Sequence, residues 1–390
     1  MKTAALFLAV TLALPAHGMT QDELLQANLL PGWRMDSGHH MAGLSLALAP
    51  GWKTYWRSPG EAGIPPEFDW SGSQNVKAVY VHWPSPVVFH TNGMQTVGYD
   101  GGVILPLEVV PEVPGQPVVL QTPNYRPIRL APGHWNLPKI EVPFELKNGE
   151  YLTPLPALRD ALAGAGALLL SNPHNPMGKV FPREELLAVA NACLEQGALI
   201  ISDEIHAELC FDGRRHIPTA SLSAQIADRT ITLMSASKAY NVAGLKTCFA
   251  VIQNAEIRER FNNARCGMVD SVSPLGLEAT RAAYSQCGAW LDALKQYLQA
   301  NRDYLLDAVK TRLPGVVMHA PQGTFLAWLD CSALGLDDPQ LFFLEQAKVG
   351  LSAGIEFGDD SQQFVRLNFG CPRALLEEGV QRMERSLQNR

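Results

Sequence analysis

Two short polar runs, each placed just after an apolar strand-like stretch, constrain this chain more than any other feature. Ser202-Asp203-Glu204-Ile205-His206 follows Ala198-Leu199-Ile200-Ile201, and Ser235-Ala236-Ser237-Lys238 follows Thr230-Ile231-Thr232-Leu233. The segments around them read as alternating strands and helices. Ala167 to Ser171 reads as a strand, and Arg183 to Gln196 as a helix with Glu184 and Glu185 in its positive first turn and Gly197 as its stop. Ala198 to Ser202 reads as the next strand. This βαβ pattern predicts an α/β fold with a mainly parallel sheet covered by helices on both faces. Ligands of such sheets sit beyond the carboxyl ends of the strands, where Asn175, Asp203 and Lys238 are expected to meet.

An acid at the end of one strand and a lysine just past the end of another is what a pyridoxal phosphate (PLP) site needs. The amine forms a Schiff base with the cofactor aldehyde, and the carboxylate keeps the pyridine nitrogen protonated so that the ring accepts electrons. Upstream, Leu168-Leu169-Leu170-Ser171 leads into Asn172-Pro173-His174-Asn175-Pro176-Met177-Gly178-Lys179, whose two Asn-Pro steps and glycine require a tight loop. Downstream, Phe364-Val365-Arg366-Leu367-Asn368 sets one arginine in an otherwise apolar strand. In this order the segments resemble the fold type I aminotransferase superfamily, and most of all its cystathionine β-lyase branch, the MalY/PatB-type C–S lyases. Trp290-Leu291-Asp292-Ala293-Leu294 and Thr324-Phe325-Leu326-Ala327-Trp328-Leu329-Asp330 resemble the same branch, and the likeness runs from about Val118 to Arg390.

Taken singly, these residues have plainer readings. An aspartate after a strand is ordinarily a cap, a lone lysine a solvated charge, and an Asn-Pro step a turn. Their joint order carries the resemblance, which implies a role for each. Lys238 would be the Schiff-base lysine and the acid/base at Cα, and Asp203 the partner of the pyridine nitrogen. Asn175 and His206 would approach the cofactor's phenolic oxygen, His206 standing where many relatives have tyrosine, and Tyr125 would stack on the ring. Ser235 and Ser237 are implied phosphate contacts, and Lys246 a weaker one, because many relatives carry an arginine there. Arg366 would clamp the α-carboxylate of an amino-acid substrate through its planar fork.

The implied architecture is a PLP-binding large domain over residues 118–287 and a small α+β C-terminal domain over 288–390. The implied activity is C–S β-lysis of cystathionine or a cysteine S-conjugate to pyruvate, ammonia and a thiol, with transamination as the alternative served by the same residues, and the implied assembly is a homodimer where the enzyme fold is intact. Such enzymes carry further sequence ahead of Tyr125, including a Gly/Ser loop that opens a helix and holds the cofactor phosphate by its N–H groups. Residues before Val118 do not supply that loop, so the expectation is a large domain lacking its front, with impaired activity.

The first third reads differently. Residues 1–18 read as a secretory signal peptide: Lys2, an apolar stretch from Ala4 to Leu14, then small residues Ala16 and Gly18. From 19 to about 117, apolar runs broken by Gly and Pro (Ala42 to Ala49, Val76 to Trp83, Val103 to Val110) predict a β-sandwich-like module. Six of the chain's eight tryptophans precede position 136, and Trp52, Trp56 and Trp70 are expected in its core. The string from Pro50 to Gly60, then Gly63-Ile64-Pro65-Pro66-Glu67-Phe68-Asp69-Trp70 and Val81-His82-Trp83-Pro84, resembles the N-terminal periplasmic domain of DsbD-type thiol:disulfide interchange proteins. Thiol exchange requires cysteine. All seven cysteines lie at Cys193 or beyond, so this segment cannot perform that chemistry. A third reading follows: a non-catalytic periplasmic interaction module fused to an inert enzyme fragment.

Composition removes other classes. A net charge of −7 without basic clusters argues against nucleic-acid binding, and no run after the leader is long and apolar enough to span a bilayer. The cysteines are odd in number without a C-x-x-C pair, which indicates neither a disulfide framework nor a zinc site. Free thiols suit the cytoplasm and a leader suits the periplasm, so localisation stays open. The join is placed at Pro111 to Pro117, and Val118-Val119-Leu120 fits equally the end of the first module or the start of the second.

Overall fold

The chain divides into two compact units, one ending at Gly115 and the other running from Gln116 to Arg390. The computed structural model describes residues 24–390 apart from 36, 74, 112–114 and 266–270. The expected signal peptide lies outside the described residues.

The first unit holds β1 (Leu25–Arg34), β2 (His40–Leu48), β3 (Lys53–Gly60), β4 (Ala78–Val81), β5 (Val87–Thr91), β6 (Met94–Asp100) and β7 (Gly102–Val110). They form a four-stranded sheet, β1-β2-β7-β4, and a three-stranded sheet, β3-β6-β5, with every pairing antiparallel. Alternation explains the core: Leu44 and Leu46 point to one face of β2, and Leu44 lies opposite Leu105 of β7. Trp56, Phe68, Trp70 and Trp83 pack against these leucines, with Phe68 and Trp70 stacked at 5.8 Å.

The second unit opens with β8 (Val118–Thr122), α1 (Arg126–His134) and β9 (Lys139–Pro143). A hairpin, β10 (Glu145–Lys147) and β11 (Glu150–Leu152), leads to α2 (Leu155–Leu162) and β12 (Ala167–Ser171). Next come α3 (Arg183–Glu195), β13 (Leu199–Asp203), α4 (Ala224–Asp228), β14 (Thr230–Met234) and β15 (Phe249–Ile252). The sheet order is β15-β14-β13-β12-β8-β9, parallel except for β15. Val118, Val119 and Leu120 pair with Ala167, Leu168 and Leu169, so the strand at the join belongs to this sheet. Leu158, Leu168, Leu186, Val189 and Ile200 are fully buried between sheet and helices, each contributing roughly 1.5–3 kcal/mol of transfer free energy.

Beyond lie α5 (Ala255–Ala264), α6 (Pro274–Gln286), α7 (Gly288–Arg312), β16 (Val317–Met318), β17 (Leu326–Asp330), α8 (Pro339–Phe342), β18 (Ser352–Ala353), β19 (Phe364–Asn368) and α9 (Arg373–Gln388). An antiparallel sheet, β16-β17-β19-β18, packs on α7 and α9 through Leu305, Val309, Leu329, Val365, Val380 and Met383.

Element edges depart from the sequence reading for local reasons. The strand expected over 198–202 runs one residue later, because Asp203 occupies a ladder position opposite Ser171 and Leu233. The strand expected from Thr324 begins at Leu326, since Thr324 takes a left-handed φ of 68° and its Oγ1 accepts the Leu326 N–H. Among the described residues, no helix is long and apolar enough to cross a membrane.

Candidate active site

Parallel pairing brings the ends of β12, β13 and β14 to one edge of the sheet. Asp203 is the last residue of β13, and Lys238 follows β14 by one short turn. That turn is latched from within: Ser235 Oγ donates to the Thr247 carbonyl at 2.5 Å and accepts from the Ser237 N–H at 3.0 Å. In this structure the Ser235 hydroxyl is engaged by the protein on both sides, while Ser237 lies beside it on the same turn. Lys246 stands in the left-handed conformation on the wall of a cavity of about 1010 Å³ that also reaches Asp203, Ile205 and Met234.

The loop after β12 is anchored on the same edge. Asn172 N–H donates to the Asp203 carbonyl at 3.0 Å, and Asn172 Oδ1 accepts the Phe181 N–H at 3.2 Å. Gly178 has φ +68°, and a Cβ there would lie 2.3 Å from the Pro321 ring, so only glycine closes this loop. Asn175 Oδ1 thereby reaches Arg366, accepting from Nη1 at 3.0 Å, while Nη2 donates to Ser352 Oγ at 3.1 Å. The Arg366 guanidinium lies 4.8 Å over the Phe357 ring, and its buried Nε has no partner. Tyr125, the N-cap residue of α1 and about one-third exposed, is close enough to act on the Arg366 charge.

His206 is buried with its ring edge-on to Phe325 at 5.6 Å, and its Nδ1 has no partner. Burial, with the positive charges of Lys238 and Arg366 added, pushes its pKa down to about 3, so the imidazole is neutral. Burial pushes the Asp203 carboxyl above its usual range, opposed by the Ile205 N–H at 3.1 Å and by Lys238, while Glu204 adds to the rise. The structure thus brings Asn175, Asp203, His206, Lys238 and Arg366 within mutual influence, with Tyr125 at the rim.

Several residues of this region carried no sequence signal. Ser352 comes from a two-residue strand with no motif. Fully buried Glu204 accepts from Ser202 Oγ (2.9 Å), Thr219 N–H (3.0 Å) and His216 Nε2 (2.7 Å), tying the 216–219 segment to β13 beside Asp203. No cluster of His, Cys, Asp or Glu suited to a metal ion occurs among the described residues.

The site fits a flat, partly anionic cofactor with a cationic ring nitrogen. Asp203 is a partly buried carboxylate that a pyridinium would relieve, and His206 Nδ1 and Arg366 Nε are buried groups without partners. Fold and site together define a PLP-dependent enzyme of fold type I. The chain belongs to the aminotransferase class I and II family, whose model matches residues 94–383. The model of the N-terminal part of thiol:disulfide interchange protein DsbD matches residues 21–122. The two matches overlap in sequence, and the ladder places β8 in the parallel sheet of the second unit.

Among curated relatives, cystathionine beta-lyase PatB of Bacillus subtilis (strain 168) is 35% identical over 75% of this chain and 78% of its own length. Protein MalY of Escherichia coli (strain K12) is 34% identical over 80% of this chain and 81% of its own. Among solved structures, OvoB matches with a TM-score of 0.68 at 45% identity, covering 70% of this chain and 72% of its own. Cystalysin from Treponema denticola, which contains a pyridoxal 5'-phosphate cofactor, matches with a TM-score of 0.69 at 31% identity over 70% and 71%.

Two buried histidines make the second unit acid-sensitive. His174, fully buried against Phe144, is also pushed down to about 3, by burial first and then by Lys179. Both groups titrate near 6.5 when unfolded and near 3 when folded, so the unfolded chain binds more protons between those values. Stability is complete above the unfolded pKa and falls as pH drops toward 3, by about 1.4 kcal/mol per pH unit for each histidine. In urea unfolding at stepped pH, His174→Phe should lower the slope between these values by about 1.4 kcal/mol per pH unit; an unchanged slope would show that His174 is not buried neutral.

Proposed function

We propose that this chain is a C–S β-lyase acting on cystathionine or a cysteine S-conjugate, releasing pyruvate, ammonia and a thiol with uptake of water. One observation carries the reading: the Arg366 fork, fixed by Asn175 and Ser352, and Lys238 both act on buried His206, and Lys238 also acts on Asp203. The names of the curated relatives PatB and the Corynebacterium glutamicum cystathionine beta-lyase support the same chemistry.

Each side chain then has a task. Arg366 takes the substrate α-carboxylate in a two-pronged hydrogen bond, and Asn175 and Ser352 keep the fork turned toward it. The Lys238 amine receives the Cα proton. Asp203 holds a proton on the pyridine nitrogen, and neutral His206 offers a hydrogen bond at the phenolic oxygen without adding charge. Tyr125 covers the ring face, while Ser237 and Lys246 hold the phosphate, Lys246 as a point charge. When bound, PLP supplies the electron sink that lets the Cα–H bond break before the Cβ–S bond. The thiolate departs and takes a proton.

Transamination would use the same residues, so the test must separate outcomes. Purified protein loaded with PLP is expected to release pyruvate from cystathionine with no keto acid present. Turnover that depends on an added keto acid would replace the lyase reading with the aminotransferase one. Assembly as a homodimer belongs to this proposal, and sedimentation of the loaded protein checks it. Export to the periplasm is the companion proposal for the DsbD-like unit, checked by fractionating cells that produce the full chain.

A further inference from the structure

Two consecutive acids close β13, and they meet different surroundings. Asp203 lines the cofactor cavity, whereas Glu204 is fully buried in the protein behind it. A buried carboxylate persists only where hydrogen bonds hold it. Both oxygens of Glu204 are engaged: Oε1 accepts from Ser202 Oγ at 2.9 Å and from the Thr219 N–H at 3.0 Å, and Oε2 faces His216 Nε2 at 2.7 Å. The peptide joining the two acids is fixed as well. The Asp203 carbonyl accepts the Asn172 N–H at 3.0 Å, and the Glu204 N–H donates to the Leu233 carbonyl at 2.9 Å.

His216 settles the charge of this arrangement. Its ring is almost fully buried, and Nδ1 has no partner among the described residues. A proton on Nδ1 would leave a buried donor unmatched, so the ring proton belongs on Nε2, which donates it to Glu204. The imidazole is then neutral, and the pair keeps the whole negative charge of the carboxylate. Cations stand on the other side of Asp203: Lys238 acts on it, and Lys246, Arg258 and Arg265 line the same cavity. Glu204 is an anion set against them.

We propose that Glu204, locked by His216, is the positioning residue for Asp203: it places a second negative charge behind the carboxylate that meets the cofactor's ring nitrogen, and so keeps that nitrogen protonated. Asp203 is the group that faces the ring, and Glu204 acts through it. The inference rests on the PLP site assigned above, and part of its test is made without cofactor.

Glu204→Gln keeps the shape and an accepting oxygen while removing the charge. In the cofactor-free full chain carrying 13C-labelled aspartate, the Asp203 carboxyl signal is assigned by its loss in Asp203→Asn. Because the Glu204 charge raises the Asp203 midpoint, Glu204→Gln should lower it by at least about half a pH unit. Glu204→Asp, which keeps the charge, should return most of that shift. Ile200→Val, a core change on the same strand, should lower the urea midpoint without moving the titration. With PLP 15N-labelled at the ring nitrogen, the bound signal should lie at the pyridinium position in the parent and move toward the neutral one in Glu204→Gln. The same variant should lose about tenfold in kcat with KM unchanged. An Asp203 midpoint indifferent to Glu204→Gln, or a His216 imidazolium in the 15N spectrum of the parent chain, would overturn the inference. The second measurement needs no variant, so it decides even where Glu204→Gln does not fold. A parent that binds no PLP would defeat the cofactor assignment, while the cofactor-free titration still decides whether Glu204 acts on Asp203.

Discussion

Lys238→Ala is expected to abolish both covalent cofactor retention and turnover. The charge of Lys238 reaches both Asp203 and His206, and in the proposed reaction this amine holds the cofactor aldehyde and receives the Cα proton. Losing a positioned acid/base costs on the order of 10²–10⁴ in rate, and losing the covalent anchor adds to that. Borohydride treatment followed by mass measurement should fix PLP on the parent chain and none on the variant, with far-UV circular dichroism unchanged. A variant that still fixes the cofactor, or keeps turnover within about tenfold, would remove Lys238 from its assigned place.

Arg366→Leu should be the next most damaging change. The guanidinium is held by Asn175 and Ser352 and lies over Phe357, and the proposed function brings a substrate carboxylate to its fork. Removing one partner of a desolvated charge pair costs about 2–5 kcal/mol, which is roughly 30- to 5,000-fold in kcat/KM. If the carboxylate is gripped equally before and during bond breaking, the loss falls mainly on KM. Arg366→Lys should restore part of it, since a point charge remains without the bidentate geometry. An Arg366→Leu enzyme with unaltered KM and kcat would show that the α-carboxylate is bound elsewhere. The two variants also separate roles, because Arg366→Leu should still retain cofactor on Lys238.

Much of the second unit was legible in its residues. Uninterrupted apolar runs such as Leu168 to Leu170 and Leu199 to Ile201 fit strands buried on both faces, and a parallel sheet must gather the residues that follow them at one edge. The single arginine of β19 was equally conspicuous, since a charge in an apolar strand needs a reason. Ser352 gave no sign, because its use depends on β18 pairing with β19 opposite Arg366. Ser235 gave no sign in the sequence of its bond to the Thr247 carbonyl, which depends on the return of the chain twelve residues later.

The sequence alone determined the apolar runs of the central strands and the polar residues that follow them, because these depend on local pattern and side-chain chemistry. It could not decide which sheet Val118 to Leu120 joins, since three apolar residues suit either unit. Nor could it show that His206 is held neutral or that β15 is the end strand of its sheet among the described residues. Those depend on burial and on pairing between residues far apart in the chain, and such contacts exist only once the backbone has closed.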